Sequence, residues 1–107
     1  MVRTVEIDLG NFEGPIYSGR KRGEAAREDV GIDRLDEQNV VVNVRIPDSA
    51  YTVTSSFFLG MFGPSILRMG SKNAFKQKFQ IKADSAIGDL VDSYIDTALE
   101  TKALFAR

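Results

Sequence analysis

Three adjacent hydroxyl residues, Thr54, Ser55 and Ser56, stand immediately before the apolar run Phe57-Phe58-Leu59, where a helix is expected to begin. Oxygens of Ser and Thr commonly accept the unpaired N–H groups of a first helical turn. The same position suits phosphate chemistry, because free N–H groups and the positive end of the helix dipole meet the added charge, which then repels or recruits a partner. Ser55 and Ser56 are therefore the candidate regulatory phosphorylation sites. Two basic groups offer a different chemistry: Arg20, Lys21, Arg22 and Arg27, and then Arg68, Lys72, Lys76, Lys78 and Lys82 in a span free of Asp and Glu. Folded together they would attract phosphates, with Arg20, Lys21, Arg22, Lys72 and Lys76 as the contacts and Phe75 and Phe79 as stacking platforms for bases. The formal net charge of -1 opposes a nucleic-acid reading, since such proteins usually carry a strongly basic footprint.

The absence of Cys and His removes disulfides, thiolate nucleophiles, imidazole bases and the usual Cys/His zinc sites. Carboxylate, Lys, Ser and Tyr chemistry remains open to a small enzyme, but no convergent constellation of such residues stands out. Asp89, Asp92, Asp96 and Glu100 fall on the outer face of an amphipathic segment, as a solvated helix surface would. Glu24 and Glu28 with Arg20 and Arg27 look like ordinary helix-surface pairs. Gly19-Arg20-Lys21-Arg22-Gly23 lacks the glycine-lysine-serine/threonine ending of a phosphate loop. A non-enzymatic chain without cofactor or metal is the expectation.

Positioning these residues requires one folding unit, since 107 residues are too few for two separate cores. No apolar run approaches the roughly 20 residues that cross a bilayer, and acidic residues interrupt the opening MVRTVEIDLG, so a cytoplasmic location is expected. Imperfect alternation predicts a first strand over Val2–Leu9, and Ile16-Tyr17 a short extended piece. Ser18 would then cap a helix running to Val30 and ending at Gly31. Asp36 to Asn39 reads as a turn, and Val40–Ile46 as a strand buried on both faces. A polar loop from Pro47 leads to the second helix, near 55–69, where Gly63-Pro64 predicts a kink or restart. Phe79–Lys82 alternates as a strand. Asp84 would cap a last helix with Ile87, Leu90, Val91, Tyr94, Ile95, Ala98 and Leu99 along one stripe. The order is βαβαβα, which favours a mostly parallel or mixed sheet flanked by helices in a single small α/β domain.

The stretch Ser18 to Glu28 and the segment Val40 to Ile46 followed by Val53-Thr54-Ser55-Ser56-Phe57 resemble an uncharacterised prokaryotic family of STAS-like domains, and the resemblance continues through Gly70, Phe75 and Phe79. It departs at Thr54, where the wider superfamily usually has Asp, and at Leu59-Gly60, which replace an acidic pair. STAS domains, typified by anti-sigma factor antagonists, imply a non-catalytic regulatory module that switches between partners. Among those partners is an ATP-binding kinase-like protein, and the matching phosphorylated positions are Ser55 and Ser56. On the second helix Phe58, Phe62, Ile66 and Met69 share a core face, whereas Leu59 and Leu67 fall off it and Phe57 lies at its edge. The expected partner surface is therefore Asp48, Tyr51, Thr54, Phe57, Leu59 and Leu67, with homodimerisation through the apolar patch as a further possibility.

Overall fold

A computed structural model describes residues 3–12 and 14–105, with side chains as far as Thr101. Strands β1 (Arg3–Asp8), β3 (Val40–Arg45) and β5 (Phe79–Lys82) form a parallel sheet in the order β1-β3-β5. A second, two-stranded parallel ribbon joins β2 (Ile16–Tyr17) to β4 (Thr52–Val53). Helices α1 (Arg20–Val30) and α2 (Ile32–Glu37) connect β1 to β3, α3 (Ser55–Met69) and α4 (Lys72–Lys78) connect β3 to β5, and α5 (Ser85–Phe105) closes the chain. The predicted Val2 lies outside the described residues.

The strand order decides which face of the sheet is covered. Each connection steps the same way across the sheet, and right-handed crossovers that always step the same way leave their helices on one face. The burial pattern agrees. Val40, Val42 and Val44 are buried on β3, whereas Val41 and Asn43 are half-buried and Arg45 is exposed. Register carries the alternation across the sheet, with Glu6 beside Asn43 and Arg45 beside Lys82. The expectation of a strand buried on both faces is thus corrected: one face packs on helices and the other, lined by Glu6, Asn43, Gln80 and Lys82, is polar and open.

Helix boundaries follow local chemistry with two corrections. Gly19 rather than Ser18 precedes α1 at the cap position, and it supplies no side-chain hydrogen bond. Gly31, at φ 72°, ends α1 by donating its N–H to the Arg27 and Glu28 carbonyls and then opens α2, so the expected turn at Asp36 and Glu37 belongs to a helix. Ser71 Oγ accepts from Ala74 N–H to start α4, and Asp84 Oδ1 accepts from Ile87 N–H at 2.9 Å to start α5, the latter as predicted.

Helix α3 runs unbroken through Pro64, against the expected restart. Pro64 is exposed; it forfeits one N–H bond and its ring crowds the Gly60 carbonyl, a cost met within a helix held on its other sides. Those sides are occupied: α1 packs along one flank of α3, and α4 and α5 along another. Phe57, Phe58, Met61, Phe62 and Ile66 are consequently all buried. Ring centroids link Phe58 to Phe62 at 5.1 Å, Phe62 to Phe79 at 5.5 Å and Phe75 to Phe79 at 5.1 Å, within the range of favourable aromatic pairs.

Two glycines set the approach of α1 to α3. A Cβ on Gly23 would lie 2.1 Å from the Phe57 carbonyl oxygen, and one on Gly60 would lie 2.4 Å from the Arg20 carbonyl oxygen. Each helix therefore presents a bare backbone where the other crosses it. Gly60 thus has a packing role of its own.

Candidate functional site

Parallel strands deliver their connecting loops to one end of the sheet, where ligands and partners of α/β proteins usually bind. Here that end gathers the turn after β1, the 46–51 loop, the start of α3 and the β5–α5 connection. The ribbon β2–β4 fixes the loop: Tyr51 N–H donates to the Pro15 carbonyl at 2.8 Å and Thr54 N–H to the Tyr17 carbonyl at 2.9 Å. Tyr94 adds an anchor from α5 by donating its hydroxyl to the Val53 carbonyl at 2.8 Å. Tyr17 is pinned by a hydroxyl bond to the Leu9 carbonyl at 2.9 Å, and burial, followed by the nearby Asp8 carboxylate, raises its pKa above the ordinary tyrosine value.

On this base the first turn of α3 is presented to solvent. Thr54 Oγ1 accepts from Phe57 N–H at 3.2 Å and is the cap. Ser55 and Ser56 are both exposed, and among the described residues neither hydroxyl is used in a hydrogen bond. Division of labour within the triplet leaves two hydroxyls free at a helix start without any acidic residue in its first turn.

The remaining expected partner residues separate. Tyr51 is 81% exposed at the end of the loop, just before β4, and Asp48 is exposed on the loop. Phe57 is only 2% exposed because α1 covers it, so it is removed from the partner surface. Leu59 is half-buried against the core, which takes it from the expected exposed patch. Leu67 is exposed, but roughly 16 Å further along the helix, so it belongs to another region. Ile16, 50% exposed and paired with Thr52 in the ribbon, was not anticipated; a single apolar residue in a short extended piece gives no sequence signal of exposure.

The two basic groups do not merge. Lys72 Nζ lies 3.0 Å from Asp96 and Lys76 Nζ 2.9 Å from Asp92, tying α4 to α5 with the very acids expected to be solvated. Lys78 donates to the Gln38 and Val40 carbonyls. Arg27, expected on the surface, is buried: it donates to Met61 O, Ser65 Oγ, Asp33 Oδ1 and Asp36 Oδ2 at 2.7–3.1 Å. Arg20, Lys21 and Arg22 remain exposed on the first turn of α1. The Arg22 guanidinium donates to the Ile16 carbonyl at 3.1 Å and lies 6.0 Å from the centroid of the Phe57 ring.

A shallow cleft of about 430 Å³ lies at the open sheet face, lined in part by Glu6, Asn43, Arg45, Asp48, Lys82 and Asp84. Two of its three acids are committed locally, Glu6 accepting from Asn43 at 2.8 Å and Asp84 capping α5, while Asp48 is exposed on the loop. Among the described residues no group of three or more Asp or Glu is placed to hold a metal ion, and no helix is long and apolar enough to cross a membrane. Comparison with family models, curated proteins and solved structures returns no match.

Proposed function

We propose that the protein is a non-catalytic, protein-binding regulatory module of STAS-like character, whose partner surface is the 47–56 loop and the start of α3. The observation that carries this reading is the pair of exposed, unused hydroxyls at Ser55 and Ser56, in a helix start that Thr54 caps independently of them. A phosphate added there would bring about 1.5 to 2 negative charges to a docking surface without disturbing the cap. Partner release then follows from repulsion and from the cost of desolvating the phosphate, with no movement of the fold required. An ATP-binding kinase-like regulator is the partner this reading anticipates, and cytoplasmic residence goes with it.

The experiment is a comparative pull-down from the native host's lysate with the wild-type protein and the Ser55→Glu/Ser56→Glu variant, followed by mass spectrometry. A partner retained by the wild type and lost by the variant supports regulated binding. Equal recovery reduces both serines to exposed surface residues. Acidic side chains in a first helical turn are favourable, so the variant should remain folded and a loss of partner will report on the surface.

A further inference from the structure

We propose that Arg20 receives a phosphate on Ser56 within the same chain, so that Ser56 rather than Ser55 is the switch position and the added charge ties the start of α3 to the start of α1. This rests on the regulatory reading above and gives it one modified residue and one reader. The step is transfer of the γ-phosphoryl group of ATP to Ser56 Oγ. The new O–P bond replaces the hydroxyl O–H, whose proton passes to a base of the kinase, and the broken P–O bond leaves its electron pair on ADP. The first observation is where the two helices cross. An α-helix turns by about 100° per residue, so Ser56 lies about 40° round α3 from Gly60 and one turn before it, whereas Ser55 lies about 140° away. Gly60 is where α1 comes down on α3: a Cβ there would meet the Arg20 carbonyl oxygen and, at 3.2 Å, the Glu24 nitrogen. Just upstream, Thr54 N–H donates to the Tyr17 carbonyl at 2.9 Å, so the residues entering the two helices run side by side. Ser56 therefore stands on the flank of α3 that the first turn of α1 lies against, and Ser55 stands off it.

The second observation is which cation borders that flank. Gly23 marks the line along which α1 touches Phe57. Arg20 lies about 60° from that line and Lys21 about 160°, on the far side of the helix. Helical side chains lean toward the N-terminus of their own helix, which carries the Arg20 guanidinium back toward the level of Ser56. Arg20 is exposed, and among the described residues its guanidinium has no ion-pair or hydrogen-bond partner, Glu24 one turn further on included. Arg22 is instead engaged with the Ile16 carbonyl and lies 6.0 Å from the centroid of the Phe57 ring. The exposed cations Arg3, Arg34, Arg45 and Lys82 belong to β1, α2, β3 and β5, none of which meets α3 at Gly60. Ser56 is equally uncommitted, since Thr54 supplies the cap of α3. An arginine fork and a phosphate form charge-assisted bonds about twice as strong as neutral ones, so the pair forms without displacing any existing contact.

The test installs phosphoserine genetically at position 56 or at position 55 of the full chain and melts both proteins by circular dichroism. Both phosphates stand in the first turn of α3 and gain alike from its dipole, so the difference between the two proteins reports on Arg20. The protein phosphorylated at 56 should melt about 4–8 °C above the one phosphorylated at 55, as a charge pair with a phosphate would give in a domain of this size. Arg20→Gln should erase the difference, Lys21→Gln should preserve it, and added salt should narrow it. Arg20→Gln removes a cation from the positive end of a helix, so the unphosphorylated variant should melt no lower than the wild type. In 31P NMR the phosphate at 56 should also titrate at lower pH than the one at 55, and Arg20→Gln should abolish that separation. Equal melting of the two phosphoproteins, or a difference that survives Arg20→Gln or vanishes with Lys21→Gln, overturns the proposal. Loss of a lysate partner on either phosphorylation, with no difference in melting, would refute this proposal and leave the binding reading standing. An Arg20-dependent difference in melting with no partner lost would refute the binding reading alone.

Discussion

Replacing Gly60 by Ala tests whether the α1–α3 crossing is set by backbone contact. Alanine is the better helix former by about 1 kcal/mol, so a glycine inside an unobstructed helix should gain stability on this change. At Gly60, however, the new methyl would sit 2.4 Å from the Arg20 carbonyl oxygen, against an ordinary contact that begins near 3.4 Å. The obstacle is backbone, which has no rotamer to yield, so the two helices must part by about 1 Å, enough to forfeit a quarter to a half of the dispersion attraction across the seam. The same separation stretches the bonds from Arg27 to Met61 O and Ser65 Oγ. Overpacking of this kind costs about 3 kcal/mol at the upper end, leaving a net loss of about 2 kcal/mol after the propensity gain. For a domain of this size that corresponds to a fall in melting temperature of about 8–16 °C. Gly88, in α5 with nothing within 4 Å of the added methyl, is the control and should be stabilised by up to about 1 kcal/mol. Urea unfolding followed by far-UV circular dichroism measures both. The double Gly23→Ala/Gly60→Ala variant should lose less than the sum of its parts, because one separation relieves both clashes. If Gly60→Ala and Gly88→Ala shift stability in the same direction, the crossing is not held by these glycines and the reasoning fails.

Three further outcomes follow from other parts of the structure. Arg27→Lys should cost about 3 kcal/mol or more, since a lysine cannot reproduce the fork that serves Met61, Ser65, Asp33 and Asp36, and the Asp36 carboxylate is left fully buried with one oxygen already unpartnered; denaturant melts measure it. The raised pKa of Tyr17 favours its neutral form in the fold, so its contribution is fully present below the ordinary tyrosine value of 10.0 and fades as pH rises beyond it. Urea midpoints between neutral and strongly alkaline pH should therefore decline less steeply for Tyr17→Phe, at a cost of about 1 kcal/mol near neutrality from the lost bond to the Leu9 carbonyl. Removing both Lys72 and Lys76 should change stability by no more than about 1 kcal/mol, because half-exposed ion pairs are largely offset by solvation and screened by salt; thermal melts at low and high ionic strength check the magnitude and its salt dependence.

The sequence conveyed the strands and helices whose signals are local. Ile87, Val91 and Ile95 of the last helix's stripe, the cap at Asp84 and the stop at Gly31 each depend on residues a few positions apart and stand in the structure, whereas Leu90, expected on the same stripe, is exposed at its edge. What it concealed depends on partners distant along the chain. Arg27 reads as a surface cation until α2 and α3 bring Asp36 and Ser65 to it across separations of 9 and 38 residues. The run Val40–Val44 reads as buried on both sides because its β-branched residues hide a real alternation, broken only by Asn43 and Arg45. Helix α4 contributes a single buried residue, Phe75, too little for any periodic signal. At the candidate site, the hydroxyl triplet and Tyr51 were legible as polar and loop positions, whereas the burial of Phe57 required knowing that α1 covers it.

That burial is also what makes the site coherent. If Phe57 were exposed, the start of α3 would be an apolar patch, and the serines beside it would matter little. The glycine at position 23 lets α1 come down over Phe57, and the same approach carries the first turn of α1, with its cations, to the first turn of α3, with its hydroxyls. The close crossing therefore does two things at once: it seals the core along α3 and it sets basic residues beside the positions at which negative charge would be added. A substitution that widened the crossing would be expected to weaken the proposed switch as well as the fold, even though Gly23 touches no partner. The polar face of the sheet plays no part in this arrangement, because crossovers that step in one direction gather all the helices, and with them both helix starts, on the other side.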